Sequence, residues 1–79
     1  MPDLILHRLP FGGLAFEPMT IAGLDWLEGY CSNLGGAPYT NGDACMTGFT
    51  DGAAGFEPHD AAQVATDAIL AGITWERAE

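Results

Sequence analysis

The tripeptide Phe-Glu-Pro occurs twice in 79 residues, at 16–18 and at 56–58. Each copy follows a short apolar run and precedes an amphipathic one. A proline keeps the residue before it extended, so both copies are expected to close a strand and hold back the start of a helix. The caps expected after them are Thr20 and Asp60. The two junctions divide the chain into halves of like layout, each two strands and a helix. Outside the tripeptide the halves match poorly, which leaves internal duplication and coincidence both open.

The local patterns fill in this layout. Leu4–Leu9 is rich in strand formers, Phe11-Gly12-Gly13 turns the chain, and Leu14–Phe16 runs back as a second strand. The stretch from Thr20 to the glycines at 35 and 36 reads as a helix. Thr20 is its N-cap, and Met19 and Leu24 hold the positions of a hydrophobic staple. Leu24, Leu27, Tyr30, Cys31 and Leu34 share its apolar side, and Asp25, Glu28 and Ser32 the other. Residues 37–43 read as a loop and 44–50 as a strand. Asp51-Gly52 suits a hairpin turn, and 53–56 is the returning strand. A second helix begins near Asp60, with Gln63 at capping-box spacing. Its polar arc holds Asp60, Gln63 and Asp67, opposite Ala61, Ala62, Ala65, Ala68, Ile69 and Ile73, with Val64 and Leu70 flanking. Residues 75–79 read as a frayed or docked tail. The expected fold is a single α+β domain over residues 1–79: a four-stranded antiparallel sheet with two helices on one face, in the order ββαββα.

Size and composition narrow the function. Hydrophobic residues make up 48% of the chain, too many for a disordered protein despite the charge. The first ten residues lack the basic start of a signal peptide, and no stretch approaches a membrane span. The expectation is a cytoplasmic protein of a bacterial host, with Cys31 and Cys45 reduced.

No motif specifies a reaction. His7, His59, Cys31 and Cys45 lack the paired spacing of a zinc site. The segment from Asn41 to Gly52 has acidic and amide residues, but Cys45 and Met46 stand where a calcium loop needs a ligand and a glycine. Cys31 lies on an apolar helix side, where burial raises a thiol pKa, so it is a poor nucleophile. Neither glycine pair has the lysine and spacing of a phosphate loop. No catalytic residue, metal or cofactor is expected.

Charge is the remaining signal. Eleven carboxylates face two arginines, Arg8 and Arg77, for a formal net charge of −9. Direct binding to nucleic acid is disfavoured, and the partner expected is a basic surface. Spread evenly, these charges are about fivefold more dilute than on duplex DNA; five or six gathered on one face of about 1,000 Å² would come within twofold. The expected fold turns the polar stripes of its helices the same way. The partner-binding residues expected are therefore Asp25, Glu28, Asp60 and Asp67, with Asp43 and Glu76 extending the patch. Trp26, Trp75 and Tyr39 are candidate aromatic anchors.

In its length, its strong negative charge, its α+β pattern and its lack of a catalytic motif, the chain resembles the small acidic anti-CRISPR proteins of phages and mobile elements. The resemblance implies a non-enzymatic inhibitor that binds a Cas effector, such as a type I surveillance complex, and blocks target-DNA recognition. It carries no residue-by-residue motif. The other reading from the sequence is a phage accessory or antitoxin-like module that binds through an apolar patch.

Overall fold

The computed structural model describes residues 1–9, 12–32, 39–40 and 53–78, with 39 and 40 described by their backbone alone. The elements in chain order are β1 (Leu4–Arg8), β2 (Leu14–Pro18), α1 (Ile21–Ser32), β3 (Tyr39–Thr40), β4 (Ala54–Phe56), α2 (Pro58–Leu70) and β5 (Trp75–Arg77). They form an α+β fold with a mixed sheet of order β3-β4-β2-β1-β5.

The first hairpin forms as its sequence suggests. Beyond β1, the Leu9 amide donates to Gly13 O at 2.8 Å and the Gly12 amide to Leu9 O at 3.2 Å. Gly12 has φ +100°, a conformation that glycine adopts without a steric penalty. Antiparallel pairing sets Leu4 opposite Pro18, Leu6 opposite Phe16 and Arg8 opposite Leu14. Strand β4 extends the sheet, with Leu14 opposite Phe56 and Phe16 opposite Ala54. Alternate residues of a strand share a face. Leu4, Leu6, Phe16 and Phe56 thus point one way, and both helices cover them: Leu27 of α1 and Ala61, Val64, Ala65 and Ala68 of α2 join the same core.

Three features differ from the expected architecture. The sheet is not wholly antiparallel and does not end with α2. The tail forms β5, which pairs parallel to β1 with Leu4 beside Trp75 and Leu6 beside Arg77. Packing decides this. Trp75 sets its ring edge-on to Phe16, with centroids 6.5 Å apart, and its indole N–H donates to Ala65 O at 3.1 Å. Second, β3 lies at Tyr39–Thr40, inside the stretch read as a loop. The strand expected over 44–50 and the turn at Asp51-Gly52 lie outside the described residues. Third, α2 stops at Leu70, and Gly72 at φ +81° turns the chain. Ile69 is 63% and Leu70 80% exposed, because they lie on the arc of exposed Ala62 and Gln63, two turns earlier, and not on that of the buried alanines.

The repeated tripeptide has two outcomes. Pro18 ends β2 opposite Leu4, and Thr20 then caps α1, its Oγ1 accepting the Gly23 amide at 3.0 Å. At the second copy Glu57 is the N-cap and Pro58 opens α2 at its first position. That position needs no amide donor and suits the fixed φ of proline. Asp60 lies in the first turn and is not the cap, and Gln63 donates to Asp67 at 3.0 Å rather than closing a capping box. The two phenylalanines share one role: Phe16 and Phe56 pack edge-to-face in the core, 6.1 Å apart at 71°.

Candidate functional site

Four of the six expected residues lie on the two helices. Asp25 and Glu28 are exposed on α1, and Asp60 is exposed on α2. Asp67, half-buried, accepts the Tyr30 phenol at 2.6 Å, which ties α2 to α1. Tyr30 is thereby pushed up to about 12, first by desolvation, then by its bond to Asp67 and by the negative charges of Asp67 and Asp60. Asp60 and Asp67 lie two turns apart, about 20° around the α2 axis, and both act on Tyr30. Asp25 and Glu28 belong to the outer stripe of α1, Asp25 about 140° around the axis from Tyr30.

The remaining two expected residues fall elsewhere. Glu76 follows Trp75, whose side chain enters the helix-covered core, so by strand alternation Glu76 points to the opposite face of the sheet. It does not extend the helical surface. The expectation of a frayed or docked tail concealed this, because only a strand fixes which side a residue faces. Asp43 lies outside the described residues. Sequence reasoning missed Glu57, the exposed cap of α2, which adds a carboxylate to the helical layer. The signal was available: a glutamate just before a proline at a helix start is placed where negative charge is favoured.

The cations complete the electrostatics. The chain's two arginines stand on neighbouring strands, Arg8 on β1 and Arg77 on β5, both exposed. Neither helix carries a lysine or arginine, while Asp25, Glu28, Glu57, Asp60 and Asp67 lie on or cap them. The imidazole of His59, 3.3 Å from Asp60, is the only basic group on either helix, and it is exposed.

Other candidate chemistry resolves into structure. His7 Nε2 and Glu17 Oε1 lie 2.8 Å apart on the sheet face away from the helices. Cys31 is half-buried on α1, and burial raises its thiol pKa, which suppresses the nucleophilic thiolate. Among the described residues no three His, Cys, Asp or Glu side chains gather as metal ligands, and no helix is long and apolar enough to cross a membrane. Trp26 stacks on Tyr30 at 4.9 Å and Trp75 serves the core, so both candidate anchors are partly committed to the fold. Tyr39 is described by its backbone alone.

No protein-family model, curated protein or solved structure matches this chain.

Proposed function

We propose that this protein is a non-enzymatic inhibitor whose acidic helical surface occupies the basic nucleic-acid groove of a partner, a CRISPR-Cas effector complex. One observation carries the reading: the charged groups of the two helices are five carboxylates and one exposed imidazole, with no lysine or arginine, and the chain's two cations stand on strands β1 and β5, where alternation turns them to the helix-covered side of the sheet. A surface of that composition attracts a lysine- and arginine-lined channel and steers the encounter. The channel would otherwise receive phosphates, and occupation by carboxylates excludes DNA without any reaction. The protein itself does not bind nucleic acid, and it needs no cofactor.

The test is competition. Purified Cas effector complexes of several types are mixed with fluorescent target duplex, and the protein is added at about 50 and about 200 mM salt. Displacement of DNA from at least one complex, with affinity for that complex falling steeply as salt rises, is the expected result. Failure to displace DNA from any complex would overturn the assignment to CRISPR effectors. Displacement unaffected by salt would overturn the electrostatic mode.

A specific feature supports a second reading, an interaction module acting through an apolar patch. Ile69 and Leu70 are largely exposed at the end of α2, beside a shallow groove lined by Ile69, Gly72, Ile73, Thr74 and Trp75. Binding through that patch would persist at high salt and would be lost in Leu70→Ser.

A further inference from the structure

Among the described residues β5 ends the sheet, and its hydrogen-bonding pattern shows what its outer edge offers. The Leu4 amide donates to Thr74 O at 3.0 Å and the Ala78 amide to Leu6 O at 2.8 Å. Residues 74 and 78 therefore turn their peptide groups toward β1, as does Glu76 between them. By the alternation of a strand, the amides and carbonyls of Trp75 and Arg77 point outward, and they have no backbone partner among the described residues. An open edge of this kind is a template for another strand. It is continuous with exposed Ile69 and the groove beside Trp75.

We propose that a second copy of this chain occupies this edge, pairing β5 antiparallel with its own β5 about a two-fold axis at Glu76. Three observations select that occupant. The outward-facing residues are self-complementary: in this register Trp75 of each copy faces Arg77 of the other on the same side of the sheet, a cation beside an indole. The pairing uses both outward peptide groups of each strand, about four hydrogen bonds in all. The two arginines of a −9 chain stand on β5 and its neighbour β1, so this edge carries the cations that partly offset the repulsion between two like-charged copies. The two-fold makes the sheet continuous and keeps all four helices on one side, which leaves the acidic layer of both copies open. One feature opposes association: Glu76 meets Glu76 of the second copy directly across the axis, and like charges there are unfavourable. The paired segment is short, so the dimer is weak, with a dissociation constant on the order of 0.1 mM.

The inference goes beyond the inhibitor reading and does not depend on it. Its test is sedimentation equilibrium from about 10 µM to 1 mM, bracketing the expected constant. The wild-type chain should pass from monomer to dimer, more readily as salt screens the net charge. This is the opposite salt response to that of partner binding. Arg77→Pro removes an outward N–H and leaves the β1 ladder intact, because that amide does not face β1. It should weaken association about thirtyfold through the two symmetry-related donors, whereas Arg77→Ala, which keeps the amide, should lose much less. Glu76→Gln should tighten the dimer several-fold, and Glu28→Gln should leave it nearly unchanged. A chain that stays monomeric throughout the range overturns the proposal and leaves the edge to a strand from a different protein. A dimer unaffected by both Arg77→Pro and Glu76→Gln also overturns it, because the interface then lies elsewhere.

Discussion

Asp3 ties three parts of the chain together. Its carboxylate accepts the Thr20 hydroxyl at 2.6 Å, and the Thr74 amide and hydroxyl at 3.0 and 3.1 Å. Thr20 caps α1 and Thr74 precedes β5, so one side chain links the start of β1 to both. The Thr20 hydroxyl, followed by the Thr74 amide, holds Asp3 below its ordinary value of 3.8. A depressed carboxylate contributes stability above its unfolded pKa and loses it as pH falls through the folded one. Asp3→Asn should therefore melt below wild type at pH 6, and the gap should close as pH drops below about 4. Thermal melts across that range check it. Tyr30 has the opposite sign. Its pKa is raised to about 12, so its contribution is complete below about 10 and is lost as pH rises toward 12. The chain has no lysine, so few other groups titrate in that window. Ultraviolet titration of Tyr39→Phe should show one phenol ionising near 12 in the folded protein. Tyr30→Phe should cost about 1 kcal/mol at neutral pH and abolish the alkaline loss.

At the scale of elements, α1 is placed by a glycine. A Cβ on Gly23 would overlap the carbonyl oxygen of Asp3, so only glycine lets the helix approach β1 there. Gly29, on the same helix, has open space at its Cβ position and is exposed. Gly23→Ala should destabilise the fold by about 1–3 kcal/mol, and Gly29→Ala should stabilise it by about 0.5–1 kcal/mol through helix propensity. In a domain of this size each kcal/mol moves the melting temperature by about 4–8 °C, well within reach of calorimetry. Both helices, the first hairpin and the Thr20 cap were legible because each rests on a local signal: apolar spacing, a turn glycine, a hydroxyl before a helix. The start of α2 lies earlier than expected because Pro58 constrains the chain on both sides. Proline keeps Glu57 extended, but it also opens a helix, and the sequence shows only the first as a constraint. Strand β5 was hidden because its pairing is parallel and joins the last residues to the first. No local pattern encodes a partner some seventy positions away, and Trp75 reads equally well as a core residue or a surface anchor.

For the molecule as a whole, the surface is 4655 Å², about 500 Å² per net charge, so an even spread would make a poor imitation of nucleic acid. The sequence supplied the total charge and the helical placement of Asp25, Glu28, Asp60 and Asp67. It could not show that Glu76 faces away, because strand direction there depends on the long-range pairing of β5. Nor could it show that Asp67 is engaged by Tyr30, a contact between helices. That engagement shapes the decisive experiment. Reversing Asp67 would break a structural bond, so the reversals belong at the exposed carboxylates. The measurement is displacement of target duplex from a responsive Cas effector by Asp25→Lys/Glu28→Lys, by Glu57→Lys/Asp60→Lys and by all four together, with circular dichroism confirming the fold. Each pair should weaken inhibition by about tenfold or more, and the fourfold variant should abolish it at concentrations where wild type is complete. Full inhibition by a folded fourfold variant would contradict the account.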